Sequence, residues 1–297
     1  MIQTRGERTF VIFSAIVMIL LTVFAFLPFL LIVIASFTDE TALIRNGYSF
    51  FPEQTSLDAY LYIKASAYTF VRAYGVSFLV TLLGTGFGLL ITSMLAYPMS
   101  RTDFKYHNTL AFIVFFTMLF SGGIVPSYIM WTQYFHIKDT LWALIVPNLL
   151  SNGFNVLLVR NYFKNNVPVE IIEASQIDGA SELRTFFRIM LPLSMPVMAT
   201  VGLFMGLAYW NDWINALYFV SKPKWYGIQN LLIQLMNNIQ FLNSGQASGV
   251  IGAEAVKLPS TAVRMAMAVL GIVPVLFVLP FMQKYLTRGV VIGAVKG

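Results

Sequence analysis

Long apolar runs dominate this chain, and polar stretches separate them. A helix needs about 20 mainly apolar residues to cross a hydrocarbon core about 30 Å thick. Six runs reach that length without any Asp, Glu, Lys or Arg: Phe10–Phe37, Ala73–Ser100, Tyr106–Ile137, Thr140–Val159, Ile189–Asn211 and Met265–Gln283. Because a bilayer offers no water to backbone N–H and C=O groups, such runs form helices and not open sheets. The pattern predicts an all-α, polytopic membrane bundle of about six transmembrane helices.

The runs divide one transmembrane domain, residues 1–297, into spans and connections. The predicted spans are residues 10–37, 75–98, 107–131, 140–160, 190–216 and 264–285. The predicted connections include two long outer segments, 38–72 and 217–262, and a polar loop, 161–189. The first run is too long for the apolar region of a secretory signal, which has about 7 to 15 residues. We therefore expect it to remain as the first span.

Composition and charge agree with this class and suggest an orientation. Hydrophobic residues make up 58% of the 297 and charged residues 11%, with a mean hydropathy of +0.73, whereas soluble domains have about 25% charged residues. Of the 19 Lys and Arg residues, 11 fall on the side of the amino terminus, including both in the short loop 101–105. The positive-inside rule then places both termini in the cytoplasm. The absence of cysteine excludes disulfides and thiolate metal sites.

The segment between the fourth and fifth spans concentrates charge, with four acidic and four basic residues within 160–188. Pro168 suits the first turn of a helix, and Asn166 before it is expected to be the cap. Gly179 then supplies a left-handed stop, and Ser181 can cap a second helix. The segment is predicted to fold as a helix, a glycine corner and another helix.

The two short helices differ in their surfaces. In the second, four apolar residues recur at helical spacing and predict a helix that lies along the headgroups: Leu183, Phe186, Phe187 and Met190. Polar side chains share its other face: Arg184, Thr185 and Arg188. The first helix mixes polar and apolar residues around its circumference, which suits a socket in another protein. The alternative is an ordinary loop with incidental helices.

One spacing in this loop carries a family resemblance. Glu173-Ala174-Ser175, three residues, Gly179, nine residues, then Ile189, Leu191 and Pro192 resembles the EAA loop of permease subunits of binding-protein-dependent ABC importers. Ser175 in place of the second alanine is the departure. The run Ile177–Ser181 and the ending Gly289–Gly297 resemble the carbohydrate-uptake group, which includes the maltose permease pair.

Two further stretches resemble permeases for complex oligosaccharides such as alginate or pectin fragments. They are Phe120-Ser121-Gly122-Gly123 with Pro126, and Asp139-Thr140-Leu141-Trp142-Ala143-Leu144. The resemblance implies a carbohydrate importer subunit in the bacterial cytoplasmic membrane. It implies a second homologous permease subunit, two ATPase subunits and an extracytoplasmic solute-binding protein as partners, and no nucleic acid.

The resemblance also assigns the first short helix to a cleft of the ATPase subunit, with Glu173 facing a basic group there. The residues expected to couple the subunits are Glu173, Ala174, Ser175, Asp178, Gly179, Arg184 and Arg188. Bound cofactors are not expected on this chain, and ATP and Mg would be held by the partner subunits. The alternative for Glu173 is a solvated acid near a helix start.

The chain lacks the motifs of an ATPase or a metalloenzyme. It contains neither a G-x-x-x-x-G-K-[ST] phosphate-binding loop nor H-E-x-x-H. Its two histidines, His107 and His136, lie near opposite ends of the third run and are expected to be interfacial polar residues. Catalytic and metal-binding residues are therefore not expected, and energy must come from a partner.

Polar residues within the spans are candidates for a transport path, because such groups are costly against lipid. The fourth span carries a stripe at helical spacing: Asn148, Ser151, Asn152 and Asn155. The fifth carries Trp210, Asn211 and Asn215, and amides and aromatic rings are the usual groups that hold sugars. The alternative is hydrogen bonding between helices, which membrane asparagines commonly provide.

Glycine and proline predict where helices approach or bend. Gly84, Gly86 and Gly88 are expected to allow close helix contact. Ser121-Gly122-Gly123 with Pro126 is expected to kink the third span. A further helix is predicted over Ile228–Phe241, in the long outer segment.

Two other functional classes occur among polytopic membrane proteins. An ion-gradient transporter would carry charged residues in its spans and inverted repeats, and the six runs contain no full charge. A membrane enzyme acting on lipid-linked sugars would need paired acids or a metal cluster at a membrane face. The clustered acids fit the loop pattern better, which favours the ABC permease.

Overall fold

The computed structural model describes residues 5–147, 149–243 and 260–294. Within these residues the regular structure is helical, apart from an isolated antiparallel bridge between Thr38 and Thr55. The predicted all-α membrane class is confirmed. The described α-helices are α1 Arg5–Ser36, α2 Glu40–Asn46, α3 Asp58–Ala65, α4 Ala67–Ser100, α5 His107–Leu119, α6 Ile124–Ile129, α7 Trp142–Ile145, α8 Gly153–Asn166, α9 Val169–Ile177, α10 Glu182–Thr185, α11 Leu191–Leu193, α12 Met195–Trp210, α13 Ile214–Phe219, α14 Ile228–Asn243 and α15 Ser260–Ala294.

The chain divides into two compact units. The first comprises Met1–Tyr68 and Gln234–Val273, and the second Thr69–Ile233 and Pro274–Gly297. The prediction of a single transmembrane domain stays a prediction. Helix α14 confirms the helix expected in the second outer segment.

In the first unit, α1 exposes apolar side chains around its circumference, as expected of a helix covered by lipid or by other helices. Its end is held against α3, because the Ser36 and Tyr60 hydroxyls are 2.8 Å apart and Phe37 stacks on Tyr60. Asp39 caps α2 by accepting from the N–H groups of Thr41 and Ala42. The outer segment is therefore ordered by local contacts.

The first turn of α15 is capped by a carboxylate from α2. Glu40 accepts from the N–H of Thr261 at 2.9 and 3.0 Å and from the N–H of Ala262 at 2.8 Å. These N–H groups have no acceptor within their own helix, and the helix dipole favours an anion there. The contact fixes the start of the last long helix to α2.

Among the described helices, α1, α4 and α15 are each long and apolar enough to cross a membrane alone. Two bent pairs bring the number to five: α5 with the segment Ile124–Tyr134, at 112°, and Glu182–Leu193 with α12, at 81°. Gly123 stands at the first bend with φ +80°, so the predicted kink in the third span is confirmed.

The predicted fourth span, 140–160, is not one helix, which corrects the expectation of a continuous one. Helix α7 ends at Ile145 and α8 begins at Gly153. Pro147 lacks the N–H that would continue the helix. The Asn152 side chain then caps α8, accepting from the N–H of Phe154 at 2.9 Å. The count of six spans stays a prediction.

Two side chains donate hydrogen bonds to the carbonyl groups at this break. The Tyr209 hydroxyl donates to the Ile145 carbonyl at 2.9 Å, and Nδ2 of Asn215 donates to the Pro147 carbonyl at 2.8 Å. Tyr209 is 3% exposed and Asn215 2%. An unpaired buried carbonyl would cost about 1–3 kcal/mol, so these two bonds make the interruption possible.

Helices α4 and α12 cross at close range, as the glycines of α4 predict. A Cβ on Gly84 would overlap the Tyr209 ring, lying 2.6 Å from two of its carbons. A Cβ on Gly88 would lie 3.1 Å from Sδ of Met205. Gly86 has open space beside it. Close approach is thus confirmed for Gly84 and Gly88 and is wrong for Gly86.

We expect Gly84→Ala to lower the melting temperature of the purified protein, because its methyl group displaces the Tyr209 ring. Overpacking of this kind costs about 1–3 kcal/mol. Gly86→Ala is the matched control, since alanine there meets nothing and is favoured in a helix by about 0.5–1 kcal/mol. Thermal unfolding in detergent tests the pair, and equal melting temperatures for the two variants would contradict the packing described.

Candidate coupling site

The first helix of the polar loop, α9, is exposed over most of its surface. Its buried residues are Ile172 and Ser175, while Glu173, Ala174 and Ile177 are exposed, Ile177 to 87%. Pro168 stands at its cap position, and the predicted cap, Asn166, instead ends α8. The reason is that α8 extends past residue 160 into the predicted loop.

Helix α9 ends in a hydrogen-bonded glycine corner. Gly179 has φ +73°, which confirms the predicted left-handed stop. Its N–H donates to the Gln176 carbonyl at 3.0 Å, and the N–H of Ala180 donates to the Ser175 carbonyl at 2.9 Å. These two bonds form a Schellman motif, which satisfies carbonyls that the helix leaves free. Asp178 is exposed beside the corner.

Ser175 joins the two helices of the loop. Its hydroxyl donates to the Ile172 carbonyl at 2.7 Å and lies 3.0 Å from the hydroxyl of Thr185 on α10. Both residues are buried, Ser175 to 6% exposure and Thr185 to 1%. The serine that departs from the EAA pattern is therefore a buried link, which small size alone did not predict.

The second helix differs from the prediction of one apolar face on the headgroups. Ser181 caps α10 as predicted, accepting from the N–H of Arg184 at 3.4 Å. Residues Phe186–Met190 then form a π-helical turn, which rotates the side chains relative to an α-helix. Phe186 and Met190 turn inward while Leu183 and Phe187 are exposed.

The polar face of the second helix is divided in the same way. Thr185, predicted to be on it, is buried, and both predicted coupling arginines, Arg184 and Arg188, are exposed. On α8, which precedes the two loop helices, Nε of Arg160 donates to the Met99 carbonyl at the end of α4, at 3.0 Å. Buried apolar side chains complete the attachment: Met99, Phe163, Ile172, Phe186 and Met190.

Glu182 connects the loop to the end of α4, and sequence reasoning missed it. Its Oε2 accepts from the Tyr97 hydroxyl at 2.6 Å, and its Oε1 accepts from Nε2 of Gln176 at 3.1 Å. Arg101 lies 3.4 Å from the same carboxylate and forms two bonds to Asp103. Hydrogen bonding between them raises the pKa of the Arg101 guanidinium and lowers the pKa of the Asp103 carboxyl.

The predicted substrate-path residues of the fourth span do not share a helix face, because α8 begins only at Gly153. Asn148 lies outside the described residues. Ser151 and Asn152 are exposed, and the Asn152 oxygen is used to cap α8. Asn155 is buried, at 8% exposure. A role in transport stays a prediction for all four.

The predicted group on the fifth span also separates. Asn211 is exposed and donates to the Leu207 carbonyl, and Asn215 holds the Pro147 carbonyl. The alternative of hydrogen bonding within the protein therefore describes Asn215. Trp210 stacks on Tyr74 at 6.3 Å.

Trp210 also lines a largely apolar cavity of about 480 Å³ in the second unit. Helices α4, α12 and α15 form its walls. Its aromatic lining residues are Tyr74, Phe78, Trp210 and Phe277. Thr81 also lines the cavity, but its hydroxyl oxygen is buried.

The chain matches, over residues 5–292, the family described as the inner membrane component of binding-protein-dependent transport systems. It belongs to this family. Protein LplC of Bacillus subtilis (strain 168) is 36% identical over 297 residues, which cover 99% of this chain and 97% of LplC. The polygalacturonan/rhamnogalacturonan transport system permease protein YtcP of the same organism is 36% identical over 273 residues, covering 91% and 92%.

A solved structure has the same fold as this permease family member. It is a crystal structure of a bacterial ABC transporter involved in the import of the acidic polysaccharide alginate. The TM-score is 0.78 at 24% identity, over 96% of this chain and 99% of the other. The family is one of multi-pass transport subunits, which agrees with the apolar helices described above.

We expect Ser175→Ala to destabilise the loop of this permease, because the Thr185 hydroxyl is left buried without its partner. An unsatisfied buried hydroxyl costs about 1–3 kcal/mol. Adding Thr185→Val should recover most of the loss, since replacing both partners by apolar groups is nearly neutral. Limited proteolysis of the loop and thermal unfolding test this. A double variant less stable than Ser175→Ala would contradict the link.

Proposed function

We propose that this chain is the permease subunit of an ATP-driven carbohydrate importer, and that α9 docks in the ATPase subunit. It works with a second homologous permease, two ATPases and an extracytoplasmic solute-binding protein. The observation that carries the proposal is that the two sides of α9 differ. Glu173 and Ile177 are exposed, while Ile172 and Ser175 are buried and attach the helix to the rest of the protein.

This attachment allows a displacement of α9 to be transmitted to the helices that follow it. The Schellman corner, the Ser175 to Thr185 bond and the buried Phe186 leave α9 little freedom relative to α10. When two ATPase subunits close on ATP and Mg, the loop moves as a body. The chain continues from the π-helical turn through α11 and an 81° bend into α12, so the movement reaches the helices around the cavity. Both termini and the loop then lie in the cytoplasm.

The substrate class is an oligosaccharide, with uronate-containing fragments as the first candidates. The support comes from the names of the relatives, a polygalacturonan/rhamnogalacturonan permease and an alginate importer. The aromatic wall formed by Tyr74, Phe78 and Trp210 is suited to the C–H faces of sugar rings, which pack on aromatic groups.

Uptake into vesicles tests the whole proposal. The complete complex is supplied with ATP and labelled neutral or uronate oligosaccharides, with and without the solute-binding protein. We expect uptake that needs ATP, all the subunits and the binding protein, with uronates preferred. Uptake by this subunit alone, driven by an ion gradient, would overturn the proposed function in favour of a secondary transporter.

Glu173→Ala is expected to weaken binding of the ATPase at least about 100-fold, because breaking a buried charge pair costs about 3–5 kcal/mol and 1.4 kcal/mol corresponds to tenfold. Copurification of the ATPase measures this. Glu53→Ala, which removes an exposed acid from the outer segment, should leave binding unchanged. Normal ATPase binding and hydrolysis with Glu173→Ala would remove the role assigned to this residue.

Trp210→Ala is expected to raise the KM for oligosaccharide uptake about tenfold, which corresponds to 1.4 kcal/mol, while ATPase binding is retained. Trp142→Ala is the matched control, because Trp142 is half-exposed and does not line the cavity. Uptake kinetics over a range of concentrations separate KM from kcat. An unchanged KM for both variants would place the substrate path away from this cavity.

A further inference from the structure

We propose that Glu182 is a positioning residue that links α9, the docking helix, directly to α4 through Tyr97 and Arg101. The inference rests on the proposed function, since it concerns how movement of α9 reaches the membrane helices. Glu182 touches no substrate or nucleotide in this scheme. Its role is to hold the loop and the end of α4 in one arrangement.

The carboxylate of Glu182 is shared between two elements. Oε1 accepts from the amide of Gln176 on α9 at 3.1 Å. Oε2 accepts from the Tyr97 hydroxyl at 2.6 Å and from Nη1 of Arg101 at 3.4 Å. One side chain at the start of α10 thus bonds both to the docking helix and to the end of α4.

The α4 end of this link is firmly held. Arg101 has only 12% of its side chain exposed and is fixed by two parallel bonds to Asp103, the geometry in which arginine pairs most strongly with carboxylates. Its Nη1 also donates to the Tyr97 hydroxyl at 3.0 Å, and the Tyr97 ring packs on Phe186 at 5.3 Å. A displacement of Glu182 would therefore act on the bonded pair Tyr97 and Arg101 at the end of α4.

Helix α4 leads from this network to the cavity. Tyr97 lies near its end, Gly84 packs on Tyr209 in its middle, and Tyr74 and Phe78 line the cavity near its start. The covalent route from the loop passes through the 81° bend before α12. The link through Glu182 does not pass through that bend. It moves α4, which also lines the cavity, together with α12.

The test compares transport with ATP hydrolysis in the complete complex, reconstituted with the solute-binding protein and an oligosaccharide that the wild type imports. For Glu182→Ala we expect normal copurification of the ATPase, because the exposed face of α9 is unchanged. The amount imported per ATP hydrolysed should fall about threefold or more, a modest figure because Glu182 is 61% exposed and solvent weakens its ion pair. Glu182→Gln keeps acceptor atoms for Tyr97 and should retain part of the ratio.

Two further variants distinguish transmission from simple stability. Tyr97→Phe keeps the ring packed on Phe186 and removes the hydroxyl, so it should lower the same ratio, and combining it with Glu182→Ala should add little. Thr102→Ala changes an exposed neighbour of the network and should match the wild type. A residue that only stabilised the fold would lower complex yield and both activities in proportion.

An unchanged ratio for Glu182→Ala would overturn the inference, as would fully additive effects of Tyr97→Phe and Glu182→Ala. A lower ratio seen only together with lower complex yield would overturn it as well. These outcomes leave the proposed function standing, because the wild-type complex would still import with ATP. Failure of the wild type to use ATP would instead refute the proposed function itself.

Discussion

The constraint on which this structure depends is that a membrane interior provides no partner for a backbone polar group. The chain nevertheless interrupts its helices, above all between Ile145 and Gly153. The interruption is possible because the Tyr209 hydroxyl and the Asn215 amide donate hydrogen bonds to two of the freed carbonyls. The Asn152 side chain caps the next helix. Tyr209 can reach its carbonyl only because Gly84 leaves space for its ring.

In the polar loop, burial within the protein imposes a similar requirement on polar groups. Its corner carbonyls are paired through the Schellman motif, and its buried hydroxyls, on Ser175 and Thr185, pair with each other. Since these groups are satisfied internally, the outward residues of α9 are left for a partner. An anchored helix that exposes both polar and apolar side chains suits the joint between two subunits that we propose.

The polar loop and the cavity lie at opposite ends of the same two helices. Helices α4 and α12 meet the loop at one end and line the cavity with Tyr74 and Trp210 at the other. A long helix is stiff, so a small displacement at one end changes the spacing of side chains at the other. The cavity is largely apolar and has aromatic side chains in its lining, which suits the packing on sugar rings that we propose for it.

Sequence alone determined the membrane class, the long apolar helices α1, α4 and α15, the Gly179 corner and the Ser181 cap, because each follows from local composition or from a backbone conformation that few residues adopt. The family resemblance rested on the same local spacing. Tertiary structure decided the broken fourth span, whose polar stripe the sequence predicts to be one helix face, and the inward turn of Phe186 and Met190 at the π-helical turn. It also decided the roles of Ser175, Asn215 and Glu182. Their partners lie 10, 68 and 85 residues away, and such contacts exist only once separate helices have packed together.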